Sequence, residues 1–239
     1  MRERDTETET ENQILVQKGS ALAYHTDTPI EPQSFPTDHL IFFLATTTYL
    51  PGGYGYSTGK PSEEGLVTDT LAAYGWLMGK ASRGELDGSK VIVAGRSLGG
   101  AVAIAAAARL QSDAASSTTG LSYSPPAALV VENSFTSISA MVDAKFPFLN
   151  IPFFKEFFLR LKWDSLSTIR RLSLPILFLS SARDEIVPAS QMVALHDAAA
   201  AASTRKFHLF REATHNDISV KGGQDYWDAK RRFFAEFCG

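Results

Sequence analysis

Apolar positions along the chain fall into short continuous runs separated by stretches with helical spacing. Leu40–Ala45, Lys90–Ala94 (KVIVA), Ala127–Val131, Pro175–Ser180 (PILFLS) and Arg205–Phe210 read as strands, with Ile14–Val16 a further strand candidate. Short, largely apolar strands separated by helices suit a parallel sheet covered on both faces. Between the strands, Val67, Leu71, Tyr74 and Met78 recur at helical spacing. Ser62 stands where it can cap that helix, and Glu63 and Glu64 place negative charge in its first turn. An alanine-rich helix is expected over Leu98–Leu110, and two more near Ala189–Ala201 and Asp225–Phe237. Strands alternating with helices predict an α/β fold, a mainly parallel sheet with helices on both faces. Residues 47–61 and 111–126 read as loops, the second a long flexible surface loop rich in Ser, Ala, Thr and Pro. Residues 1–12 carry too few apolar side chains to bury and are expected to be a disordered tail, leaving 13–239 as one domain.

Composition narrows the function classes. A chain of 239 residues, 44% hydrophobic and 21% charged, is an ordinary globular protein large enough for a core without disulfide staples. A net charge of −3 argues against nucleic acid as a partner, because phosphate binding needs a concentrated basic face. The single cysteine, Cys238, permits no intrachain disulfide. The first residues, MRERDTETETENQ, have neither the apolar run of a signal peptide nor the acid-poor character of a transit peptide, and no apolar run is long enough to span a bilayer. A cytoplasmic location is the expectation for the chain as given.

The strongest chemical signal is Gly95-Arg96-Ser97-Leu98-Gly99, a G-x-S-x-G pattern. A β-like run leads into it and a helix leads out, as a nucleophile elbow requires. The tight strand-to-helix turn strains the serine and exposes its hydroxyl. Gly95 and Gly99 leave room for neighbouring backbone, and the N–H of Leu98 at the helix start can face a developing oxyanion. A serine hydroxyl needs a base, and in this arrangement the chain order is serine, acid, histidine. Of five histidines, His25 and His39 precede Ser97, His196 falls in a helix and His208 in a strand. His215, in the loop Ala213-Thr214-His215-Asn216-Asp217, is the candidate base. Asp184, in the loop after PILFLS, is the candidate acid, with Glu185 and Glu132 as weaker alternatives.

These segments together resemble the α/β-hydrolase superfamily, and within it the bud-emergence (Bem-type) serine hydrolases of fungi and plants and their animal relatives. Gly53-Tyr54-Gly55-Tyr56-Ser57-Thr58-Gly59 followed by Pro61–Leu66 (PSEEGL) is similar to that family's GYG-x-S-x-G-x-PSE-x-G-L stretch. Gly95–Ile104 (GRSLGGAVAI) resembles its elbow. Glu132–Ile138 (ENSFTSI), Ser181–Pro188 (SARDEIVP), Thr214–Asp217 (THND) and Tyr226-Trp227 resemble its later motifs. The resemblance runs from about Gly53 to the C-terminus. It implies that Ser97, Asp184 and His215 are nucleophile, acid and base, and that the substrate is a hydrophobic acyl compound. It also implies membrane-associated relatives, since the family usually begins with a hydrophobic anchor.

Before Gly53 the chain departs from the family. A counterpart of the anchor is not expected in the chain as given, and neither His25 nor His39 is followed by the glycine of the family's His-Gly pair, whose loop supplies a second oxyanion donor. Against the family's order, one strand–helix unit is expected to be lacking. A truncated isoform, a faulty gene model and a diverged protein all fit this, and an incomplete oxyanion hole is the expected consequence.

Other motifs carry no chemistry of their own. Gly52–Gly59 lacks the spacing of a phosphate loop, and no H-E-x-x-H or cysteine pair suggests a metal, so no cofactor is expected. Residues 146–163 (FPFLNIPFFKEFFLRLKW) are rich in phenylalanine and suggest a small cap, about 139–166, whose rings pack on the sheet or line an apolar acyl pocket. The expected activity is hydrolysis of an ester or thioester, with a small-molecule or lipid acyl compound or an acylated protein as substrate. The alternative is a catalytically impaired, hydrolase-like binding or scaffold protein.

Overall fold

The computed structural model describes residues 40–44, 62–116, 124–145 and 162–237. The tail 1–12, the candidate strand Ile14–Val16, the loop 47–61 and the phenylalanine-rich part of the expected cap, 146–161, lie outside the described residues.

Among the described residues five strands form one sheet: β1 (Leu40–Leu44), β2 (Val91–Arg96), β3 (Ala128–Glu132), β4 (Ile176–Ser181) and β5 (Arg205–Phe210). They lie in sequential order, and each neighbouring pair is parallel. Parallel neighbours need a crossover between them, and the described crossovers run through helices. These are α1 (Glu63–Ser82), α2 (Leu98–Ser116), α3 (Ile138–Lys145), α4 (Ser165–Ile169) and α5 (Ala189–Ala198); α6 (Ile218–Lys221) and α7 (Gly223–Phe237) follow β5.

The period-two alternation of the strands divides the core into two layers. Val91, Val93, Leu129, Val131, Ile176 and Phe178 pack against Tyr74 and Leu77 of α1, Ile104 and Leu110 of α2, and Met192 and Leu195 of α5. The intervening Ile92, Ala94, Ala128, Val130, Leu177 and Leu179 pack on the other face against Tyr226, Phe233 and Phe234 of α7. Both faces of the central strands are therefore covered, which is why their sequences are apolar without alternation. Alanines at 101, 103, 106 and 107 let α2 lie close to the sheet.

Local signals set the element boundaries. Ser62 caps α1 by accepting the Gly65 N–H at 3.0 Å. Helix α2 runs six residues past Leu110, into the segment read as loop from its composition. Arg109 pairs with Asp113 one turn on, and the Gln111 side chain ties the helix to Arg171 and Ser173, so polar residues extend it on its outer side. Helix α5 stops at Ala198, short of Ala201. The two ends of the expected cap meet: Ile138 donates its N–H to the Lys162 carbonyl at 3.1 Å, and Leu166 to that of Thr136 at 3.1 Å. Among the described residues no helix is long and apolar enough to cross a membrane.

Because the strands are all parallel, their C-terminal ends share one edge of the sheet. In an open α/β sheet that edge is where sites form. Here it gathers Ser97, Asn133, Asp184 and His215.

Candidate active site

Ser97 joins β2 to α2 and has φ 54°, in the left-handed region that costs an L-residue about 1–2 kcal/mol. Neighbours on both sides hold it there. Its N–H donates to the Glu132 carbonyl at 2.9 Å, extending the β2–β3 ladder by one residue. Its carbonyl accepts from Gly100 N–H at 3.0 Å and from the Ser134 hydroxyl at 2.9 Å. Gly95 is required by contact, since a Cβ there would overlap the Gly99 carbonyl. Gly100, outside the five-residue motif, is held to the same limit by the Ser134 side chain. Leu98 is the first residue of α2, where backbone N–H groups have no intrahelical acceptor.

Asp184 and His215 meet although they come from different loops. The ladder between β4 and β5 continues beyond the strands: Ala182 donates to the Phe210 carbonyl at 2.9 Å and Arg183 to that of Ala213 at 3.0 Å. This brings the turn after β4 against the turn after β5. Asp184 Oδ1 accepts the N–H groups of Ile186 (2.8 Å) and Val187 (2.7 Å). Its Oδ2 lies 2.7 Å from His215 Nδ1. The two side chains are 1% and 5% exposed, so water competes little for this bond. With an ionised carboxylate and a neutral imidazole, this geometry would put the shared proton on Nδ1 and leave Nε2 a lone pair. Among the described residues no hydrogen bond joins the Ser97 hydroxyl to the imidazole.

The other candidates sit elsewhere. His196 lies on α5, edge-on to Phe178 and Phe207, beside Asp197. His208 lies on β5, where burial, with Arg232 and Lys206 nearby, holds it below the usual imidazole range. Glu132 ends β3, bound on α7 to Tyr226 rather than to a histidine. Glu185 accepts the backbone N–H of His215 at 3.1 Å, a supporting contact that reading it as an alternative acid had missed. Asn133 and Ser181 stand in the motifs ENSFTSI and SARDEIVP, but sequence alone assigns neither a role of its own. Asn133, with φ 44°, links β3 to both β4 and the His215 loop, and neither partner is visible from its own neighbours in sequence. Among the described residues no group of three or more His, Cys, Asp or Glu is arranged to hold a metal.

An apolar cluster adjoins the elbow. Leu66, Ala101, Val102, Phe135, Trp163 and Val187 pack together, with Leu98, Ile138 and Met141 at its margin. It includes the residue after Ser97 and a residue three past Asp184. The GYG segment, and the stretch before Ser62 (β1 excepted) in which the family's second oxyanion donor would be sought, lie outside the described residues.

Comparison with known proteins follows the same outline. Residues 64–216 match a family model described as the alpha/beta hydrolase fold. Protein bem46 of Schizosaccharomyces pombe is 40% identical over 185 residues, covering 77% of this chain and 55% of the relative. The lysophosphatidylserine lipase ABHD12 of Macaca fascicularis is 31% identical over 199 residues, covering 78% of this chain and 46% of the relative. The chain thus spans about half the length of these curated relatives. Among solved structures, the Pyrococcus furiosus esterase Pf2001 superposes with a TM-score of 0.58 at 16% identity, over 79% of this chain and 68% of that one, a likeness of fold. With the family model spanning well over half its length, and the sheet, elbow and strand-end loops arranged as described, this chain belongs to the alpha/beta hydrolase family.

Proposed function

We propose that the protein is a serine hydrolase that cleaves a carboxylic ester or thioester carrying a hydrophobic acyl group. The observation that carries this reading is the enclosed 2.7 Å contact between Asp184 and His215, on the sheet edge that also bears the strained Ser97. In this mechanism His215 Nε2 takes the proton from the Ser97 hydroxyl as Oγ bonds to the substrate carbonyl carbon. Asp184 keeps Nδ1 protonated and the ring oriented, and stabilises the imidazolium that forms. The oxyanion is met by the Leu98 N–H. Collapse of the tetrahedral intermediate breaks the bond to the alcohol or thiol, which leaves with the proton from His215. Water then attacks the acyl-enzyme by the same route, giving its proton to His215 and releasing the acid.

The relative named a lysophosphatidylserine lipase makes a single-chain phospholipid the first class to assay. The test is a fluorophosphonate probe alongside p-nitrophenyl butyrate. Wild-type protein is expected to be labelled at Ser97 and to turn over the ester. Ser97→Ala should abolish labelling and lower kcat by at least about 10⁴-fold. Turnover surviving in Ser97→Ala would overturn the assignment of the nucleophile. A folded protein that neither labels nor turns over would favour the binding or scaffold alternative.

A further inference from the structure

The proposed reaction needs an imidazole that stays aimed, and a ring is held only as firmly as the backbone that carries it. We propose that Asn133 is a positioning residue that fixes the His215 backbone, an inference that rests on His215 being the base.

Asn133 follows the last residue of β3 and is 1% exposed. Its N–H donates to the Leu179 carbonyl of β4 at 3.1 Å. Its φ of 44° turns the side chain out of the strand's alternation, in a region that asparagine tolerates better than most residues. The amide then uses both of its ends. Oδ1 accepts the Ser181 N–H at 2.8 Å. Nδ2 donates to the Ser181 hydroxyl at 3.0 Å and to the His215 carbonyl at 3.1 Å. The His215 N–H, on the other side of the residue, is held by the Glu185 carboxylate. His215 is therefore gripped at both backbone groups, once by the acid's neighbour and once from the middle of the sheet.

The two grips differ in quality. Glu185 is exposed, so water competes for its carboxylate. The Asn133 bond is buried and reaches past β4 to a residue 82 positions away. Few side chains could replace it. Aspartate has no donor for the His215 carbonyl, and leucine would leave that carbonyl and the Ser181 N–H buried without partners.

A purely structural role would also bury Asn133, as a clip between β3 and β4 through Ser181. Three variants separate the roles. Asn133→Gly keeps the φ of 44° free of strain and removes the amide with its bonds to both Ser181 and His215. Asn133→Asp keeps an oxygen for the Ser181 N–H and loses the donor to the His215 carbonyl, so it should follow Asn133→Gly. Ser181→Ala removes the hydroxyl partner and leaves the His215 bond. Each is compared with wild type in kcat and KM for p-nitrophenyl butyrate, and in the downfield proton resonance of the imidazole N–H that faces Asp184. Asn133→Gly should lower kcat about 10- to 100-fold with KM little changed, and broaden or abolish the resonance. Ser181→Ala should stay close to wild type in both. Unchanged kcat and resonance in Asn133→Gly would overturn the proposal, as would an equal loss in Ser181→Ala. If turnover survives in Ser97→Ala, the assignment of the nucleophile fails separately. The resonance does not depend on Ser97, so it still decides whether Asn133 holds the ring.

Discussion

Asp184 has fixed partners at both carboxylate oxygens, two backbone N–H groups on one and the imidazole on the other. That division makes Asp184→Asn an informative change. The amide oxygen can keep the Ile186 and Val187 bonds, and the NH2 group then faces Nδ1. A donor there forces the proton to Nε2 and removes the lone pair that would accept from Ser97. The expected result is a fall of about 10⁴-fold in kcat/KM for p-nitrophenyl butyrate with the thermal unfolding midpoint nearly unchanged. A fall of less than tenfold would show that the carboxylate does not orient a base. Ser97 poses a different problem. Its φ of 54° costs stability wherever no hydroxyl is needed, because glycine would sit there without strain.

At the scale of elements, α7 is locked to β3 by a buried polar group as well as by its phenylalanines. The Tyr226 hydroxyl donates to Glu132 Oε2 at 2.7 Å and accepts from Lys230 Nζ, one helical turn on. Lys230 is 1% exposed, lies 3.7 Å from Glu132 Oε2 and sits over the Tyr226 ring at 4.2 Å. Burial lowers its pKa to about 8, against the opposing pull of Glu132; Arg96, also near, pushes the same way as burial. An unfolded chain keeps this lysine protonated to a pH near 10.5, so between about 8 and 10.5 the unfolded state binds more protons. Stability from this group must then rise with pH across that window, and the burial penalty is full below it. Urea unfolding of wild type and Lys230→Met at several pH values isolates the effect. The wild-type midpoint should gain on the variant's from pH 8 to 10. A constant difference would mean that the ammonium survives in the folded state. Since the Glu132 carbonyl also holds the Ser97 N–H, this clamp stands directly behind the elbow.

For the molecule as a whole, the features legible in the sequence were those that repeat or that concentrate in a few neighbouring residues. The five strand cores and the Ser62 cap follow from periodicity and one local hydrogen bond. The elbow follows from five consecutive residues between a strand and a helix. The contact of Asp184 with His215 needs only that both loops leave the same edge of a parallel sheet. Features built from distant residues, or from residues that mimic another class, stayed hidden. Residues 111–116 look like loop because the polar side of a helix and a surface loop share a composition. Lys230 looks like a solvated charge because its partner Glu132 is 98 residues away in the chain. Asn133 looks like an ordinary turn residue because its partners stand 48 and 82 positions on.

The strands are not equally protected. β3 and β4 are buried along their whole length, whereas β5, last in the sheet order, is exposed or half-buried throughout, with Leu209 49% exposed. His215 hangs from the end of β5. A strand with so little burial opens at lower free energy than the strands it joins, without the rest of the molecule unfolding. Amides of Arg205–Phe210 should therefore exchange with deuterated solvent faster than those of Ala128–Glu132. Protection of β5 equal to that of β3 would refute this. On warming, His215 would leave this edge of the sheet while the core is still closed, so under the proposed mechanism the capacity to react with a fluorophosphonate should vanish at a lower temperature than the cooperative loss of structure.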